Sequence, residues 1–223
     1  RANDIGEEAA LSALLAQALH YGPTPVPTAI ERCEEMLAMP ISDRSYQAGL
    51  QSTLGGLRGM EGNFDEARSL WVEARTMYEE LGLRARRAGR SLIPAEIELL
   101  AGNPGEAVAI LRWACEKLEE LGVESIRATI SAFLADALCE AGDFEEARRF
   151  ADVAAESGAP DDVVTQVMCR IARSKADGDS RLADEAHVLA QTTDYPDLKA
   201  RAFLALGELA EARRIYETKG NVA

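Results

Sequence analysis

Four arginines crowd one stretch of an otherwise acidic chain: Arg84, Arg86, Arg87 and Arg90 fall within seven residues. Guanidinium groups so placed suit two roles. They can form surface pairs with the glutamates that end neighbouring helices, each worth ~0–1 kcal/mol. They can equally make a basic docking patch for an acidic segment or a phosphate-bearing ligand. A second constellation is defined by missing bulk. Gly49, Ser52, Gly56 and Gly59 recur at spacings of three, four and three, forming one nearly bare helical stripe. Glycine costs a helix ~1 kcal/mol relative to alanine, so several on one face imply a close approach there. In the same register the following helices offer Leu92, Glu96 and Leu99, then Thr129, Ala132, Asp136 and Cys139. These positions form a candidate concave binding face for a peptide or helix, with Glu96 and Asp136 placed to select a basic group. The alternative is that another helix of this chain, or a second copy, packs on the stripe to complete the fold.

Other chemistry finds less support. No Gly-x-x-x-x-Gly-Lys-Ser/Thr phosphate cradle occurs. Gly56-x-x-Gly59-x-x-Gly62 resembles a glycine-rich loop but lies inside a helix, without the preceding strand that a nucleotide fingerprint needs. The two histidines are far apart: His20 ends a helix, where the dipole favours a partly cationic ring, and His187 follows Asp184 by three residues as a surface neighbour. Paired glutamates such as Glu145-Glu146 point about 100° apart on a helix and read as solvated faces. Cys33, Cys115, Cys139 and Cys169 form no Cys-x-x-Cys pair; three of them lie inside helical apolar patterns as small hydrophobes, and the compartment reads as reducing cytoplasm. No catalytic, cofactor or metal residue is therefore assigned, and the segment is read as not an enzyme. A net charge of -14 argues against a nucleic-acid surface. No apolar run approaches the ~20 residues of a membrane span.

The elements that must position these residues come from a repeat. Gly62-Asn63-Phe64-Asp65-Glu66-Ala67-Arg68 returns as Gly142-Asp143-Phe144-Glu145-Glu146-Ala147-Arg148, with Gly102-Asn103-Pro104-Gly105-Glu106-Ala107 as a worn copy. Each has the chemistry of a tight turn opening a helix: a glycine to stop the last one, Asn or Asp as a cap, and acids in the positive field of the first turn. The alanine of each second helix falls at Ala29, Ala67, Ala107, Ala147, Ala186 and Ala212, with gaps of 38, 40, 40, 39 and 26. A period near 40 built from two helices is an α-solenoid. The fold class is thus all-α, about six antiparallel helix pairs in a curved, elongated superhelix, with the first helix of each pair on the concave side. The reading places a first helix over Ile5 to His20, a second from about Thr28, a third capped by Ser42 or Asp43, and one unbroken helix from Arg84 to Ala101. It buries Trp71 between repeats and leaves Trp113 more exposed.

Leu54-Gly55, Phe64, Ala67, Trp71 and Ala74 resemble tetratricopeptide repeats in their spacing of large and small residues, as do Leu134-Ala135, Phe144, Ala147, Ala151 and Ala154. The period exceeds the ~34 residues of the standard repeat. Gly22-Pro23-Thr24-Pro25-Val26, Ala159-Pro160-Asp161-Asp162-Val163-Val164 and Tyr216-Glu217-Thr218-Lys219-Gly220-Asn221 are similar to the repeat region of large bacterial signalling proteins that join a class III adenylate/guanylate cyclase, an AAA-type ATPase and C-terminal repeats. That resemblance implies one repeat domain over residues 1–223, cut from a longer protein, that binds a protein or peptide or other domains of its parent. Related arrays that bind a small inducer imply the alternative of a sensor.

Overall fold

Glycine stands at 62, 82, 102, 122 and 142, every twentieth residue, and each has a positive φ between +68° and +84°. Glycine enters this left-handed region at little cost. At Gly62 the turn lets its own N–H reach Gly59 O and the Asn63 N–H reach Arg58 O, both at 2.9 Å, so the last helical carbonyls find donors. The repeat unit is therefore one helix plus one such turn.

The computed structural model describes residues 14–39 and 43–223. Residues 14–21 are helical. There follow α1 (Val26–Ala38), α2 (Arg44–Met60), α3 (Phe64–Glu80), α4 (Arg84–Gly89), α5 (Leu92–Leu100) and α6 (Pro104–Glu120). The second half contains α7 (Glu124–Glu140), α8 (Phe144–Ser157), α9 (Val163–Asp177), α10 (Ser180–Ala190), α11 (Pro196–Ala205) and α12 (Leu209–Lys219). Consecutive helices pack in pairs, and no strand occurs among the described residues, so the fold is an all-α solenoid. All six repeat alanines are buried, where their small side chains let each second helix lie close to the first. A Cβ on Gly55 would meet Ala67 O at 3.0 Å, which shows how tightly α2 and α3 approach.

Several local expectations need correction. The helix expected over Arg84 to Ala101 is broken into α4 and α5 at Arg90-Ser91. Pro94 is the cause: it has no N–H to give the Arg90 carbonyl, and its ring crowds that oxygen. Asp43 caps α2 by accepting from Ser45 N–H at 2.8 Å and Tyr46 N–H at 3.2 Å, and Asp143 caps α8. Ser42 and the part of the first helix before residue 14 lie outside the described residues. Asn63 and Asn103 do not cap; their amides donate instead to Glu61 and Glu98, where the acceptor is charged. Trp71 is half-buried rather than buried, packed beside Tyr78 and Ala74 on α3. Trp113 is equally half-buried, because the Arg87 guanidinium covers its ring 4.1 Å from the centroid.

The largest departure from an open arc is that the ends meet. Lys219 Nζ, at the end of α12, donates to the carbonyls of Leu19 at 3.0 Å and of Gly22 and Thr24 at 2.7 Å. Val222 N–H donates to Met60 O at 2.9 Å, and the rings of Tyr21 and Tyr195 lie 5.1 Å apart. Burial lowers the pKa of Lys219 to about 8, so at neutral pH it still carries the proton that serves three carbonyls. Lys219→Met fills similar volume but strands those acceptors. It is expected to lower the unfolding free energy by about 2–3 kcal/mol and to speed hydrogen exchange in residues 216–222; unchanged urea midpoint and exchange would show that the closure is not a stabilising contact.

Candidate functional site

The inner side of the arc holds a half-open cavity of about 1310 Å³. Its walls come from the first helices of successive pairs. The start of α2 gives Ser45, Tyr46 and Gly49; α4 gives Arg84 and Arg86, and the break after it Arg90; α5 gives Leu92; and α7 gives Ile126, Thr129 and Phe133. Tyr78 enters from α3, and Tyr21 and Tyr195 from the two ends that meet. Four of the five tyrosines in the chain thus border one space. The fifth, Tyr216, donates to Asp197 Oδ1 at 3.0 Å.

The structure divides both candidate constellations. Of the basic patch, Arg84, Arg86 and Arg90 line the cavity, whereas Arg87 turns to Trp113 and to Glu79 at 3.0 Å. Helical geometry explains the split, since position 87 lies on a different face from 86 and 90. Of the bare stripe and its continuation, Gly49, Leu92 and Thr129 border the cavity. The others are covered by this chain itself. A Cβ on Gly56 would stand 2.3 Å from Cε1 of His20, and one on Gly59 would stand 3.0 Å from Cγ1 of Ile97. Ser52, Ala132, Asp136 and Cys139 are buried; Leu99 is half-buried against the core of the second half.

Glu96 and Asp136 meet basic groups, and these belong to the chain. His20 is buried at the end of its helix, with Nε2 3.1 Å from Glu96 Oε2. His187 stacks on Phe203, ring centroids 4.6 Å apart, rather than pairing with Asp184. Asp136 is only 1% exposed and accepts from Lys175 Nζ at 2.6 Å and Arg201 Nη1 at 2.8 Å, while Arg201 Nε donates to Asp197 at 2.7 Å. The four cysteines are free and buried, and no cluster of potential metal ligands occurs among the described residues. No helix among the described residues is long and apolar enough to cross a membrane.

The family model described as tetratricopeptide repeat matches residues 130–152 and 198–218. These matches mark a tetratricopeptide-repeat region. They cover the end of α7 with the start of α8, and α11 with α12, each a helix, a glycine turn and a second helix. Tetratricopeptide repeats generally mediate protein–protein interaction. The crystal structure of BtubC (BKLC) from P. vanneervenii is similar in fold, with a TM-score of 0.58 at 20% identity over 87% of this chain and 84% of that one. No curated protein matches the sequence.

Periodicity had no means of finding the tyrosines. Tyr78 lies on an ordinary core stripe, and Tyr21 and Tyr195 flank prolines at helix breaks; only their rarity in the composition hinted at a shared place.

The Asp136 cluster gives a pH test. Burial pushes the carboxyl pKa up, yet the Lys175 and Arg201 charges and their hydrogen bonds outweigh it and hold it below the ordinary 3.8. A depressed carboxylate contributes stability that is fully present above its unfolded value and is lost as the pH falls through the lower folded one. The wild type should therefore hold its urea midpoint down to about pH 4 and lose it below. Asp136→Asn should cost about 2–3 kcal/mol at pH 7, because Lys175 and Arg201 lose their shared buried carboxylate but keep Glu140 and Asp197, and should lose less between pH 4 and pH 2. Parallel pH profiles would remove Asp136 from the acid response.

Proposed function

We propose that this chain is a non-catalytic interaction and regulatory module, and that what it binds enters the cavity between its meeting ends. The single observation that carries this reading is the cavity itself. The glycine stripe expected to receive a partner is filled by His20 and Ile97, so the open concave space that remains is the one walled by α2, α4, α5 and α7. Its volume of about 1310 Å³ exceeds the ~300–1,000 Å³ usual for drug-sized ligands, which leaves room for a peptide segment or a short stretch of helix. The repeat region supports a peptide occupant, because such repeats generally bind proteins or peptides. The all-α repeat fold is typically non-catalytic, in keeping with that role.

In this reading residues 1–223 are one repeat domain of a longer cytoplasmic signalling protein that carries cyclase and ATPase domains elsewhere. Its support is the resemblance of the segments around Gly22, Pro160 and Tyr216 to the repeat regions of such proteins. A second reading, a small-molecule sensor, is favoured by one feature: arginine and tyrosine groups converge on a cavity that also has an apolar wall of Leu92, Ile126, Ile130 and Phe133.

Ala85, on the cavity wall, gives a selective plug. Panning a random 12-residue peptide phage library on the wild type should enrich related sequences that Ala85→Trp fails to retain. Enrichment of nothing on the wild type would sink the peptide reading, and equal enrichment on both proteins would move the binding surface out of the cavity.

A further inference from the structure

Most arginines of this acidic chain are matched to acids. Among the described residues, all except Arg32, Arg84, Arg86 and Arg90 lie within ion-pair distance of a carboxylate. Three of those four stand on one wall of the same cavity. Arg84 and Arg86 are exposed at its rim, Arg86 donating to Ser45 Oγ, and Arg90 is half-buried further in. Beside Arg90 is an orphan. The Tyr78 hydroxyl is buried, borders the cavity and has no hydrogen-bond partner among the described residues. Both groups approach bare Gly49, whose Cβ would stand 3.8 Å from the Tyr78 hydroxyl and 4.0 Å from Arg90 Nη2. Burial pushes the Tyr78 pKa up, although Arg90 and Arg86 oppose this, so the phenol stays a donor.

The two carboxylates that line the cavity are already engaged. Asp43 caps α2, and Asp162 caps α9 while its other oxygen meets the Thr165 and Thr129 hydroxyls at 2.6 and 3.3 Å. From α7 the wall also receives Ile126, Ile130 and Phe133, beside Ser125. A cluster of unmatched guanidiniums beside an unsatisfied phenol is complementary to a compact anion. The apolar wall suits a hydrocarbon or aromatic body that enters with it.

We infer that the cavity binds a small organic anion, its phosphate, sulfonate or carboxylate head held by Arg84, Arg86, Arg90 and the Tyr78 hydroxyl, its apolar body against Leu92, Ile126 and Phe133. This rests on the proposal that the cavity is the binding site and gives the chemistry of the sensor reading.

The test uses two fluorescent probes of nearly equal shape: 1-anilinonaphthalene-8-sulfonate and the uncharged N-phenyl-1-naphthylamine. In the wild type the sulfonate should bind at least about 10-fold more tightly, equal to about 1.4 kcal/mol. Arg86→Gln/Arg90→Gln should erase that advantage and leave the neutral probe within about 2-fold. Tyr78→Phe should weaken the sulfonate alone without lowering the melting temperature, because an unpartnered buried hydroxyl adds nothing to the fold. Ala85→Trp should exclude both probes. Equal affinity for the two probes, or a sulfonate affinity untouched by the double variant, overturns the anion anchor. If Ala85→Trp still blocks both probes in that case, the cavity remains the binding site; if it blocks neither, the cavity reading falls as well. Displacement of the sulfonate by hexaglutamate at similar concentration would assign the arginines to an acidic peptide and overturn the small-molecule class.

Discussion

Close approach of paired helices is the constraint from which the other features follow. Two helices joined by a three-residue turn cannot bury their apolar faces alone, so each pair needs the next. Buried alanine at the head of every second helix, and Gly55 against the Ala67 carbonyl, make the contact short enough for that stacking. The arginine after the alanine then ties one repeat to the next: Arg68 holds Glu98 through two hydrogen bonds at 2.7 and 2.8 Å, and Arg148 holds Asp177 on α9. The motif thus supplies a turn, a close contact and a clasp in seven residues.

Stacked pairs curve, and here the curve returns on itself. Polar groups on the inner side then lose water and must find partners, since an unpaired buried charge costs several kcal/mol. Asp136, Lys175, Arg201, Asp197 and Tyr216 form one such connected set, and His20 with Glu96 forms another. Of these, Asp136 and Glu96 are the two that a sequence reading assigns to a partner, because their internal partners lie 39 to 76 positions away along the chain. The arginines on the cavity wall are treated differently: near a space that stays open, they keep access to solvent and have no described acid within reach. Three arginines on one wall thus stand apart in a chain whose net charge is -14.

The amino-acid sequence by itself determined the helices, their turns and their repeat. Those properties are local: a glycine every twentieth residue, an Asp cap, an alanine one turn into a helix. Asp43 and Asp143 act as their positions require, and the solenoid follows from the period. The breaks at Pro94 and the idle caps at Asn63 and Asn103 were decided by particular atoms, a missing N–H and two nearby carboxylates. Tertiary structure alone decided which polar groups face each other and which face a cavity. Gly49 and Gly56 look alike in sequence, two helical turns apart on one stripe. One borders open space and the other carries the ring of His20, because Ala16 and Leu19 of the segment before α1 pack with Leu50, Leu54 and Leu57 of α2 and Glu96 holds the ring from α5. No periodicity can report a contact 200 residues distant. The cavity likewise takes Tyr21 from one end of the described chain and Tyr195 from near the other, residues that no local pattern brings together.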